Sequence, residues 1–408
     1  VKDFLFNGFS FFARFAGNSL VFFWLARLLD EAEFGRLSFL FLLTNFALVL
    51  MDFGLYFLVV EAVLRARYFR IAALLKVKYI TSVLGLVLMG GAGFALFSLR
   101  GQLSEDYLPY LVLLLSTAML AVAQHYLYHF RVQGRYQIET FSQTFYSLGI
   151  LLGIGFLVFL GEVSLWTVIS LFAFLRLLLL LVSRGYFSRL HLAAHHPLLH
   201  RKRIFPYLKR SALYGVTALV GYALLLLDST LMYLLFPGQL AMYQGGVRIV
   251  LMVMMLTEVL TVYFLPRLRG ERAEVHRQYY LLLCILLAVV IGVPLWGFSE
   301  QVVRLLYGHA LEGLVQYLPC FAVVAVLRVG LGYLGTLLTF HGFHHIRLHS
   351  LVLALMALLF AAGLLVPFLD VAGVLAAVIV AHLVAVAYQA WWLKQIPSRQ
   401  TGMGGQPA

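Results

Sequence analysis

Apolar residues in this chain come in long runs broken by short polar stretches. Twelve such runs, of about twenty residues each, fall near 6–28, 37–60, 79–98, 108–130, 141–160, 165–182, 211–235, 242–265, 280–298, 318–340, 350–366 and 372–393. Each is long enough to cross a ~30 Å hydrocarbon core as a helix. The pattern predicts an all-α polytopic membrane protein of twelve spans. Trp166, Trp296, Trp391 and Trp392 fall at predicted span ends, where amphipathic rings favour the interface.

The polar stretches alternate in charge. With the N-terminus placed in the cytoplasm, the loops 61–78, 131–140, 183–210, 267–278 and 341–349 hold nineteen Lys and Arg. The loops on the other side hold only Arg36, Arg100 and Arg304. Excess Lys and Arg in short loops sets orientation, so both termini are expected in the cytoplasm. The first run leads directly into a second and reads as an anchor in an inner, cytoplasmic-type membrane, not a cleaved signal.

The longest connection, 183–210, divides the chain into six-helix halves, expected at 1–182 and 211–393, with a basic linker between them and a disordered tail at 394–408. A weak repeat supports the division. At an offset of 206, Leu29-Asp30-Glu31-Ala32-Glu33-Phe34-Gly35 meets Leu235-Phe236-Pro237-Gly238-Gln239-Leu240-Ala241. Transporters built from two such bundles bind substrate between them near the midplane, so a central cavity is expected. Gly149 and Gly153, and Gly332 and Gly335, are expected to let helices approach closely.

Composition sharpens this picture. Hydrophobic residues make up 63% of the chain and charged ones 12%, which excludes a soluble globular protein. The net charge of +13 sits beside span ends, where it meets anionic lipid head groups, so no nucleic-acid partner is expected. Cys284 and Cys320 lie in or at the edge of spans and read as small apolar residues. The histidine groups 191, 195, 196, 200 and 341, 344, 345, 349 have four-residue spacings, but no carboxylate or cysteine stands nearby, so they read as basic surface helix and no metal is expected.

Ionised groups in the bilayer interior cost about 2.5–3.5 kcal/mol on insertion scales, so each needs a reason. Arg14, Asp52, Arg176, Asp228, Arg248, Glu258 and Arg328 lie inside the runs. Arg14 and Asp52 are expected at equal depth in adjacent spans, as are Asp228 and Arg248, which predicts two ion pairs. Asn7, Ser10, Arg14 and Asn18 form one polar face, and Asn45, Asp52 and Tyr56 another. Arg176 either snorkels to the cytoplasmic interface or lines the cavity, and Glu258 either pairs with it or carries a coupling proton. Arg328, central in its span, suits a bound anion because its planar fork matches phosphate oxygens. Gln124, His125 and His129 add buried polar groups to the fourth span. The expected cavity set is Arg14, Asn18, Asp52, Gln124, His125, Arg176, Asp228, Arg248, Glu258 and Arg328, with no catalytic residue.

These residues resemble the Wzx-type flippases within the multidrug/oligosaccharidyl-lipid/polysaccharide (MOP) exporter superfamily. The resemblance rests on three motifs. The first is Leu25-Ala26-Arg27-Leu28-Leu29 with Glu33-Phe34-Gly35-Arg36-Leu37-Ser38 and Asp52-Phe53-Gly54-Leu55. The second is Asp228 followed by Ala241-x-Tyr243-x-x-Gly246-x-Arg248, where Ala241 and Gly246 replace the usual glycine and alanine. The third is Leu305-Leu306-Tyr307-Gly308. The resemblance implies an alternating-access carrier, not an enzyme. Its cargo would be an undecaprenyl-pyrophosphate-linked oligosaccharide, moved across a bacterial cytoplasmic membrane for surface polysaccharides such as O-antigen. Implied partners are the lipid-linked oligosaccharide, membrane lipids, a polysaccharide polymerase and a chain-length regulator. No cofactor is implied; coupling to H+ or Na+ is not readable. The alternatives are a multidrug exporter of the same superfamily, a membrane-embedded polymerase or ligase, and a non-transporting scaffold.

Overall fold

A computed structural model describes residues 20–56, 58–59, 69–132, 135–189, 204–268 and 272–400. Among these there is no strand. In chain order the helices are α1 (Val21–Leu28), α2 (Glu31–Asp52), α3 (Phe69–Arg100), α4 (Leu103–Val132), α5 (Tyr136–Leu160) and α6 (Leu165–Arg189). They continue as α7 (Ile204–Leu235), α8 (Leu240–Phe264), α9 (Ala273–Gly297), α10 (Ser299–Tyr307), α11 (Leu318–Phe340) and α12 (His344–Gln400). Ten candidate spans are found among the described residues by length and composition. The first predicted span is described only in its last turns, and the final two runs appear as one long helix broken at Asp370 (φ 50°, ψ −126°).

Local chemistry sets the turns. Asp30 caps α2 by accepting from the Glu33 N–H at 2.7 Å, with Glu31 and Glu33 in the first turn; carboxylates there complement the helix dipole. The α1–α2 connection is therefore only Leu29–Asp30, shorter than the loop the hydropathy suggests. Gly161 ends α5 at φ 71°, a left-handed conformation that costs glycine little. The stretch 299–317, expected as plain loop, contains the amphipathic helix α10, which buries Val303 and Tyr307 and exposes Leu305.

Burial is inverted relative to a soluble protein. Leu282, Ile285, Leu286, Val289, Val290 and Val293 of α9 point outward, as do Phe159 and Phe360. Buried positions include Lys78, Asp106, His125, Arg176, Asp228, Arg248 and Arg328. An apolar exterior over a partly polar interior is what a hydrocarbon surround selects.

Packing groups the chain into two compact units, residues 1–244 and 245–408. In the first, a Cβ on Gly149 would lie 2.9 Å from Leu175, and one on Gly153 would lie 2.5 Å from Leu171, so the α5 glycines serve close packing against α6 as expected. In the second, Gly332 lies against Thr257, and Gly335 admits the Arg347 guanidinium.

Candidate functional site

Arg14, Asn18, the polar face of the first span and the histidines at 191, 195, 196 and 200 lie outside the described residues. Asp52 does not: it sits at the last turn of α2, where Phe53 (φ 41°) and Gly54 (φ 74°) break the helix before it resumes at Leu55. Its carboxylate pairs with the Lys78 ammonium at 2.9 Å. Lys78 was assigned to the cytoplasmic loop on sequence. In the structure α3 begins at Phe69, which places Lys78 well inside the helix and fully buried. The charge itself set the hydropathy boundary there. The cue in the sequence was the demand of Asp52 for a cation.

Around this pair the first unit gathers several of the expected residues. The Tyr56 ring meets Tyr128 edge-on at 4.7 Å, and the Tyr128 hydroxyl donates to Gln124 Oε1 at 3.4 Å. His125 is buried beside them on α4, with Lys78 and His129 bearing on it electrostatically. Asn45, Asp52 and Tyr56 are all half-buried. The arrangement joins an ion pair, an amide and two aromatic rings, groups that bind through hydrogen bonds and ring faces.

Arg176 is buried on α6. Its Nη1 donates to Thr117 Oγ1 at 2.8 Å, Ser116 Oγ at 3.0 Å and the Leu113 carbonyl at 3.4 Å, and its Nε donates to the Tyr146 hydroxyl at 3.4 Å. Phe41 and Phe172 flank the guanidinium. Neutral oxygens and ring faces hold this cation between α2, α4, α5 and α6.

Asp228, on α7, accepts from the Tyr243 hydroxyl at 2.8 Å and from the Ser229 N–H. Tyr243 belongs to the motif that the sequence singled out. Sequence reasoning missed two further buried carboxylates in this unit, Glu139 in the first turn of α5 and Asp106 in the first turn of α4. Asp106 accepts from the Tyr233 hydroxyl at 2.6 Å and lies 3.6 Å from Arg36. Phe39 stacks on Tyr233 at 4.5 Å, and the Arg100 guanidinium lies over the ring at 4.1 Å. Asp106 fell in a predicted loop, so nothing marked it as buried.

In the second unit Arg248 is buried beside Tyr307, whose hydroxyl donates to the Gly245 carbonyl at 2.7 Å. Arg328 is buried on α11, and it bears electrostatically on the buried His382 of α12. Glu258, on α8, is exposed. Asp228 and Arg248 fall in different units.

Long apolar helices in two compact units, with ionised side chains buried at mid-span, define a polytopic helical membrane protein. Its particular fold is that of the MATE transporters of the MOP superfamily. The chain superposes on an inward-facing multidrug resistance MATE family transporter of that superfamily with a TM-score of 0.73 at 15% identity, over 96% of each chain. It matches the eukaryotic MATE transporter AtDTX14 with 0.71 at 12% identity, over 96% of each chain. A mutant of the Vibrio cholerae MATE transporter VcmN gives 0.70 at 13% identity, over 97% of each chain. No family model matches the chain, and no curated protein sequence matches it either.

Proposed function

We propose that the protein is an alternating-access exporter for an undecaprenyl-pyrophosphate-linked oligosaccharide, carried across a bacterial cytoplasmic membrane with both termini on the cytoplasmic side. The observation that carries this reading is the sign of the buried charge in the second unit. Arg248 and Arg328 are buried there, while its described carboxylates are not. A cation at that depth is expensive, and an anionic cargo suits the buried Arg328 guanidinium. Arg328 is assigned to the pyrophosphate, since a guanidinium fork matches phosphate oxygens. In the first unit, Tyr56, Tyr128 and Gln124 are assigned to sugar. A polysaccharide polymerase and a chain-length regulator are the proposed downstream partners.

The test varies Arg328 in a strain lacking the gene and reads surface glycan normalised to membrane protein. Arg328→Lys keeps the charge and loses the fork, so export falls. Arg328→Ala falls further, and Arg328→Glu abolishes export. Wild-type glycan from Arg328→Glu removes the residue from the site and the anionic cargo with it.

A second reading, export of organic cations, is supported by the exposed carboxylate of Glu258, and by the multidrug resistance transporter among the structural neighbours. It predicts cation efflux that Arg328→Glu leaves intact.

A further inference from the structure

The end of α2 at Asp52 places two negative features at one point inside the apolar run. The last carbonyls of a helix have no in-helix donors and carry the negative end of its dipole. A carboxylate on the final residue adds a full charge where the dipole already disfavours one. Such a point demands a cation, and broken helices in transporters place cations at their C-terminal half-helix ends.

The oxygens around the break form a small set. Lys78 Nζ donates to Asp52 Oδ1 at 2.9 Å and to the Met51 carbonyl at 3.3 Å. The Thr81 hydroxyl donates to the same Met51 carbonyl at 2.7 Å. Carboxylate, main-chain carbonyl and hydroxyl oxygens are hard ligands of the kind that suit alkali and alkaline-earth cations. We propose that Met51 and Asp52 form a monovalent-cation site inside the membrane, and that the chain fills it permanently with its own Lys78 ammonium.

The tethered cation has a structural consequence that α7 reads. The backbone at the break fits a notch of small residues. A Cβ on Gly54 would stand 2.8 Å from the Ser211 carbonyl and 2.9 Å from the Gly215 N, and one on Gly215 would stand 2.8 Å from the Phe53 carbonyl. Holding the Met51 carbonyl and the Asp52 carboxylate together fixes the shape that seats there. A site already occupied by α3 does not exchange with sodium, so this break draws on no sodium gradient.

The proposal is independent of the cargo, and its test reads stability alone. Full-length protein in nanodiscs is unfolded thermally in sodium, methylammonium or choline chloride at matched ionic strength. The wild type is expected to show no difference among the three salts. Lys78→Ala is expected to be less stable in choline and to recover saturably in sodium or methylammonium, which fit the vacated volume as choline does not. The recovery is roughly tenfold in the unfolding equilibrium at about ten times the cation's Kd. Equal behaviour of Lys78→Ala in all three salts overturns the proposal, as does a sodium response in the wild type. If Lys78→Ala does not fold, Asp52→Asn with Lys78→Ala decides. Folding of that double variant, with no cation response, supports an uncompensated carboxylate as the defect. Failure of both variants makes Lys78 a packing residue and ends the proposal.

Discussion

Arg176 shows how a membrane helix buries a guanidinium without a carboxylate. Ser116 and Thr117 each donate to the Leu113 carbonyl at 2.8 Å and turn their lone pairs to the arginine. The hydroxyls are thus satisfied whether or not the cation is present. Arg176→Met, which removes the charge and keeps much of the volume, is expected to change stability by less than about 1 kcal/mol. Arg176→Lys keeps a buried charge without the fork and is expected to cost about 1–3 kcal/mol. Thermal unfolding of the purified variants checks the order, and a lysine variant more stable than the methionine one contradicts it. Tyr233 is the opposite case, because Asp106 depends on it. Tyr233→Phe leaves a buried carboxylate oxygen short of its donor and is expected to cost about 1–3 kcal/mol. Combined with Asp106→Ala the losses should be less than additive, since the residues share one contact. Strict additivity in that cycle denies the coupling. Charges such as Asp52 and Arg176 were legible in the sequence because they interrupt apolar runs. Lys78 and Asp106 were not, because charges near a run's end are themselves what moves the drawn boundary. The tyrosine partners come from other helices, and spacing along one chain does not reveal them.

Among the elements, eleven of the twelve predicted spans correspond to described helical stretches, because twenty apolar residues leave few other structures open to the backbone in hydrocarbon. What the pattern did not contain is where a span breaks. Asp52-Phe53-Gly54 carries one glycine, and the left-handed conformation at Phe53 is uncommon for a non-glycine residue. Close contact with Ser211 and Gly215 helps to hold the break against that strain. Two glycine substitutions separate packing from propensity. Gly54→Ala meets both a positive φ and backbone at 2.8 Å, and it is expected to lower membrane protein level and destabilise by more than about 1 kcal/mol. Gly90→Ala lies in α3 with nothing within 4 Å, and it is expected to be neutral or to stabilise by up to about 1 kcal/mol. A tolerated Gly54→Ala means that the break is not tightly keyed.

For the whole molecule, the alignment at an offset of 206 pairs two small residues of the first unit. Gly35 and Ala241, matched by that offset, also touch: a Cβ on Gly35 would lie 2.9 Å from the Ala241 N. The small residue kept at each position was the trace of this contact in the sequence, although most of the aligned hairpin differs. Orientation is tested with single cysteines in a background of Cys284→Ser and Cys320→Ser. Gln102→Cys, Gly238→Cys and Ala310→Cys are expected to react with an impermeant reagent from outside intact cells, and His195→Cys is not. Labelling at 195 overturns the topology. Only a sign of charge bears on the proposed cargo, since neither fold nor helix pattern encodes what is carried. The central claim is therefore tested most directly by reconstituting the purified protein into vesicles with a fluorescent undecaprenyl-pyrophosphate-linked sugar in one leaflet. The account predicts that the labelled lipid crosses to the other leaflet at a rate set by the protein and abolished by Arg328→Glu. Efflux of organic cations, with no movement of the labelled lipid, contradicts it.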